Sequence, residues 1–155
     1  MRWRKILDRL CGRGSDARGT ASIELALLAP ALVYLMTAGW DFGNALYQQE
    51  RLVSAARAGA QFGIQSTADS TNYTGMVQAA RNDANDTTNS LTVTAQESCI
   101  CPSGGAISCS STCSGNVAPW AYDKVTASES YSTFGRYPFV ADPIPLTAAA
   151  MLRFQ

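Results

Sequence analysis

The sequence contains no histidine. That removes the commonest general base and metal ligand, and most triad and metalloenzyme arrangements go with it. A glycine-rich phosphate loop is missing too: Gly12, Gly14 and Gly19 precede no strand–helix unit. Charge is sparse, at 15% of residues, and is absent altogether from Leu25 to Trp40. No nucleophile–base–orienter set can be assembled from what remains. The expectation is a protein that is not an enzyme and holds no cofactor or metal.

The charges that are present are unevenly placed. Residues 1–19 carry six basic side chains against Asp8 and Asp16, a formal net of +4. Residues 20–155 carry six more against ten acids, a net of −4. A basic tail can bind nucleic acid. Here, however, the charges abut an apolar run of about 20 residues, the length of a bilayer-spanning helix. A basic flank stays on the cytoplasmic side, so the expected topology is N-in, C-out at the inner (cytoplasmic) membrane, with no nucleic-acid partner. A secretory signal peptide is the alternative for this terminus, with Thr37-Ala38-Gly39 as a weak cleavage site. Its apolar region would be shorter than the one present.

Residues 1–19 therefore read as a cytoplasmic leader. Trp3, Ile6, Leu7 and Leu10 recur near helical spacing, as in a short surface-lying amphipathic turn, and Gly12, Gly14 and Gly19 should break any helix there. Residues 20–40 read as the transmembrane helix, kinked at Pro30 and anchored by interfacial Trp40. One charge intrudes, Glu24. An acid at that depth is costly unless paired, which makes it a functional candidate.

Past Trp40 the helical pattern continues. Phe42, Ala45, Leu46, Leu52, Val53, Ala56, Ala60, Phe62 and Ile64 form an apolar stripe of period near 3.6, with Gln48, Gln49, Glu50, Arg51 and Arg57 off it. A helix from Thr20 to about Gln65 would be roughly 70 Å long at 1.5 Å per residue. A shorter helix is expected over Thr74–Asp83, with Met76, Val77, Ala80 and Ala84 inward. From Leu91 the period changes to two. Leu91, Val93 and Ala95 mark one strand, Val125, Ala127 and Tyr131 a second within Tyr122–Phe134, and Leu146, Ala148, Ala150, Leu152 and Phe154 a third. Pro138, Pro143 and Pro145 place a loop between the last two. The expected class is α+β. It comprises a long transmembrane helix continuing as an amphipathic one, a short second helix and a small antiparallel sheet, with residues 41–155 as an extracytoplasmic domain.

Cys99, Cys101, Cys109 and Cys113 fall within fifteen residues. A zinc site wants pairs spaced by two to four residues, which Cys-x-Cys matches poorly. Outside the cytoplasm disulfides form, giving three possible connectivities. A hairpin turning at Gly104-Gly105 favours the nested pairing, Cys99–Cys113 outside and Cys101–Cys109 inside. Cys11 falls on the reducing side and should be unpaired.

Gly19-Thr20-Ala21-Ser22-Ile23-Glu24 looks like the cleavage motif of type IV prepilins, with glycine at −1 and glutamate fifth in the mature chain. The wider pattern resembles the TadE-like minor pilins, or pseudopilins, of the tight-adherence (Tad/Flp) pilus. Asp41-Phe42-Gly43, Ala55-Ala56-Arg57-Ala58-Gly59-Ala60, the four-cysteine patch and the ending Leu146–Phe154 carry that resemblance further. Leu25 departs from Flp-type major pilins, which have an aromatic there. The resemblance implies a pilin-like fold and cleavage between Gly19 and Thr20 by a prepilin peptidase. It also implies an assembly contact in which Glu24 neutralises the new α-amine of Thr20 on a neighbour. Its implied partners are other pilin and minor pilin subunits, the inner-membrane assembly platform and the membrane. The alternative is an uncleaved, membrane-anchored extracytoplasmic binding module.

Overall fold

The structure, a computed structural model, describes residues 16–66, 68–88 and 90–154, with side chains described from residue 21. The amphipathic leader turn, the breaks at Gly12 and Gly14 and the state of Cys11 lie outside the described residues.

The first element, α1, is a helix over Asp16–Gly63 with Pro30 inside it. It begins before Thr20, so Gly19 does not break it, contrary to expectation. One glycine costs a helix only about 1 kcal/mol relative to alanine, and extending an existing helix by a turn needs no new nucleus.

After Trp40 the chain divides into two compact units. In the first, no side chain over residues 21–40 is buried; Ile23, Leu25, Leu27, Leu28, Val33, Leu35 and Met36 are all exposed. This part of α1 is long and apolar enough to cross a membrane.

The second unit holds the rest of α1, a 3-10 turn (Asp69–Thr71), helix α2 (Tyr73–Asp83) and four strands: β1 (Thr92–Ile100), β2 (Ala106–Ile107), β3 (Trp120–Tyr131) and β4 (Ile144–Arg153). Asn72 caps α2, its side chain accepting from the Gly75 N–H at 2.9 Å. The sheet is antiparallel in the order β2-β1-β3-β4. Its core joins Leu52, Ala55, Ala56 and Ala60 of α1 with Met76 and Ala80 of α2 and with Val93, Val125, Ala127 and Ala148 of the sheet. The architecture is α+β, as the residue periods indicated.

Three expectations need adjustment. The buried stripe of α1 is narrower than the apolar pattern: Phe42, Leu46 and Ile64 are exposed, and small residues do the packing. At Gly59 a Cβ would fall 2.8 Å from the Met76 carbonyl oxygen and 3.1 Å from Val125 Cγ1, so this glycine sets how closely α1, α2 and β3 approach. Secondly, Arg51 and Gln49, off the apolar stripe and half-buried, also reach the sheet. Arg51 forms an ion pair with Glu129 of β3, and Gln49 Nε2 donates to the Thr147 carbonyl at 2.9 Å. Thirdly, Pro145 lies inside β4 opposite Ser130 rather than in the loop. β4 is an edge strand, where the missing N–H is tolerated.

Candidate processing and assembly site

The residues expected to serve processing and assembly fall on the first unit's part of α1. Gly19 and Thr20 are the fourth and fifth residues of this helix, close to its N-terminal end. Glu24 lies on the same helix, exposed between Ile23 and Leu25, which are also exposed. Among the described residues the ion pair is Arg51–Glu129, and Glu24 takes no part in it.

A second acid on α1, Asp41, is treated very differently. It is 2% exposed and accepts four hydrogen bonds from one stretch of chain. The Phe134 N–H and the Tyr131 hydroxyl donate to Oδ1 at 3.0 and 3.3 Å. The Gly135 N–H and the Tyr137 hydroxyl donate to Oδ2 at 3.0 and 2.6 Å. The Tyr137 hydroxyl, then the Phe134 and Gly135 N–H groups, hold its carboxyl below the usual carboxylate range. This contact explains why β3 ends at Tyr131 and not at Phe134: the backbone beyond it is taken up by Asp41. Sequence reasoning noted Asp41 within Asp41-Phe42-Gly43 but gave it no structural role.

The cysteines form two disulfides, but not in the nested pairing. Cys99 bonds Cys109 and Cys101 bonds Cys113, with Cα–Cα distances of 5.1 and 5.7 Å. The hairpin does turn at Gly104-Gly105, but its register sets Cys99 opposite Ile107 and Ile100 opposite Ala106. Cys109 is thus two residues from the position facing Cys99 and is out of reach of a nested match with Cys101. Cys113 is brought back by a separate turn closed by the Cys113–Val117 bridge. Glu97 lies within 4.8 Å of the Cys99 and Cys109 sulfurs. Sulfurs joined in a disulfide offer no thiolate to a metal.

Sequence reasoning missed Asp123. It alternates with Ala121, Val125 and Ala127 on the buried face of β3, so its phase was readable. Both of its carboxylate oxygens are buried with no hydrogen-bond partner among the described residues. It packs over Gly63 near the Met76 methyl, where α1 ends. Burial, and then the Glu97 charge, push its carboxyl up to about 6.

Comparison with known proteins adds one match. Residues 19–61 fit the family model described as TadE-like protein. No curated protein and no solved structure matches the chain. The matched segment begins at the glycine of the expected joint, includes Glu24 and Asp41, and ends within the small-residue face that packs on the sheet. Residues 19–61 thus resemble the corresponding segment of TadE-like proteins.

Proposed function

We propose that the protein is a minor pilin or pseudopilin that takes part in assembling a Tad-type adhesive pilus, after cleavage by a prepilin peptidase between Gly19 and Thr20. The observation that carries this reading is the family match starting at Gly19. On this reading residues 20–40 span the inner membrane N-in, C-out, and residues 41–155 lie outside the cytoplasm. The exposed leucines of α1 then face lipid before assembly and neighbouring helices afterwards. Cleavage creates an α-amine at Thr20, and Glu24 of an adjacent subunit neutralises it. Such a pair in low dielectric can fix register between helices, because leaving either charge alone there is costly. A membrane aspartic peptidase, other pilin subunits and the assembly platform are the partners this requires.

The test is intact mass or N-terminal sequencing of the membrane-extracted protein, with and without the peptidase. A mature chain starting at Thr20 only when the peptidase is present is expected. A chain still starting at Met1 in the presence of active peptidase would instead make it an uncleaved anchor carrying an outer binding module.

A further inference from the structure

The segment between β3 and β4 carries two large aromatic side chains with little covering them. Phe134 is 87% exposed and Phe139 is fully exposed. Phe139 also has φ +69°, in the left-handed region that a bulky aromatic residue rarely adopts. Exposed phenylalanines held in a fixed, strained loop call for an apolar partner.

Where the loop is held says which partner. Its backbone is fastened to Asp41 through the Phe134 and Gly135 N–H groups, both at 3.0 Å. Tyr137, next but one after Gly135, adds its hydroxyl at 2.6 Å and sets its ring 6.0 Å from that of Phe42. Asp41 directly follows Trp40, the residue at which the apolar run ends. One helical residue advances the chain by only about 1.5 Å. The headgroup zone on each side of a bilayer is about 5–8 Å deep, from the difference between its total and hydrocarbon thickness. A loop fastened to Asp41 therefore lies at headgroup level. Arg136, exposed between Gly135 and Tyr137, adds a cation at the depth of anionic headgroups.

We infer that residues 132–141 form a second membrane contact, in which Phe134 and Phe139 enter the outer leaflet of the bilayer that residues 20–40 span and Arg136 meets its headgroups. The Asp41 carboxylate is the positioning group, since its hydrogen bonds fix the loop at the point where the chain leaves the membrane. The inference rests on the reading of residues 20–40 as a span, and the experiment separates the two.

Full-length chain with the photoreactive residue p-benzoylphenylalanine in place of Phe139, Leu28 or Ser110 is reconstituted in vesicles of phosphatidylethanolamine and phosphatidylglycerol and irradiated. Each of these positions is exposed, so the substitution leaves the fold intact. Lipid adducts, read by mass, are expected at positions 139 and 28, several-fold above those at 110 in the cystine loop. Chain-to-chain products at 139, or adducts there no more frequent than at 110, overturn the loop contact while adducts at 28 uphold the span. Absence of lipid adducts at 28 overturns both.

Discussion

Between residues 21 and 40, helix α1 shows leucine, isoleucine and valine to its surroundings; between 41 and 63 it turns alanine and glycine toward its own sheet and α2. The acids follow the same division. Asp41 has its hydrogen-bond donors supplied by the same chain, whereas Glu24 is exposed with no ion pair among the described residues. The difference teaches where each half finds its partners. The second half is complete within this chain, so its substitutions act on folding. The first half has its apolar face and its acid both open, so its substitutions act on what it joins.

That division is broken most directly at Glu24. On the proposed reading, replacing it by alanine (Glu24→Ala) leaves cleavage after Gly19 intact and the second unit folded, while the subunit disappears from sheared pili. The readouts are the N-terminal sequence of the membrane fraction and immunoblotting of the pilus fraction. Normal incorporation of the variant would show that the acid has no assembly role and that the first half is lipid-facing surface only.

A folding comparison sharpens the same division. Leu52 is the largest fully buried aliphatic side chain of α1 and belongs to the core cluster with Ala55, Ala56, Val93 and Val125. Leu52→Ala should destabilise the second unit by about 2–5 kcal/mol. Leu28→Ala, in the exposed half, should change it by no more than about 0.5 kcal/mol. Denaturant unfolding of the full chain in detergent, followed by near-ultraviolet circular dichroism, measures both. Equal effects would mean that the first half also packs against its own chain.

The elements were legible where one periodicity held over many residues. The long apolar helix, the inward Met76 and Ala80 of α2, and the alternation of Leu146 to Phe154 all follow from spacing alone. Hydrophobicity was a poorer guide to which face of α1 is buried. Gly59 and Ala60 pack because they are small, while the larger Phe42 and Leu46 remain outside. Three-dimensional accidents of register stayed out of reach. The disulfide pairing depends on Cys99 facing Ile107, two residues from the partner it takes. The Asp41 contact joins residues more than ninety positions apart, and nothing local to Asp41 announces Phe134 or Tyr137. Asp123 was different: its inward phase on β3 was visible, and an acid at such a position is a signal in itself.

Asp123 also yields the subtlest test, because within the second unit it is the acid the chain does not satisfy. Its carboxyl has an ordinary value of 3.8 and is raised to about 6 in the fold. The folded state therefore binds the proton more tightly than the unfolded chain. That contribution to stability is fully present below 3.8 and is lost as pH rises toward and through about 6. Asp41 has the opposite sign: its lowered carboxyl contributes above 3.8 and loses that contribution as pH falls through its folded value. Between pH 4 and 7 Asp123 should therefore dominate the difference between the two. The wild-type melting temperature is expected to decline across that range, and Asp123→Asn, which carries no charge to desolvate beside Glu97, should flatten the decline and melt higher at pH 7. A wild-type profile already flat from pH 4 to 7 would mean that Asp123 ionises without penalty and has found a partner. The second half of the molecule would then satisfy all of its buried acids from within, and its contrast with the open Glu24 would be complete.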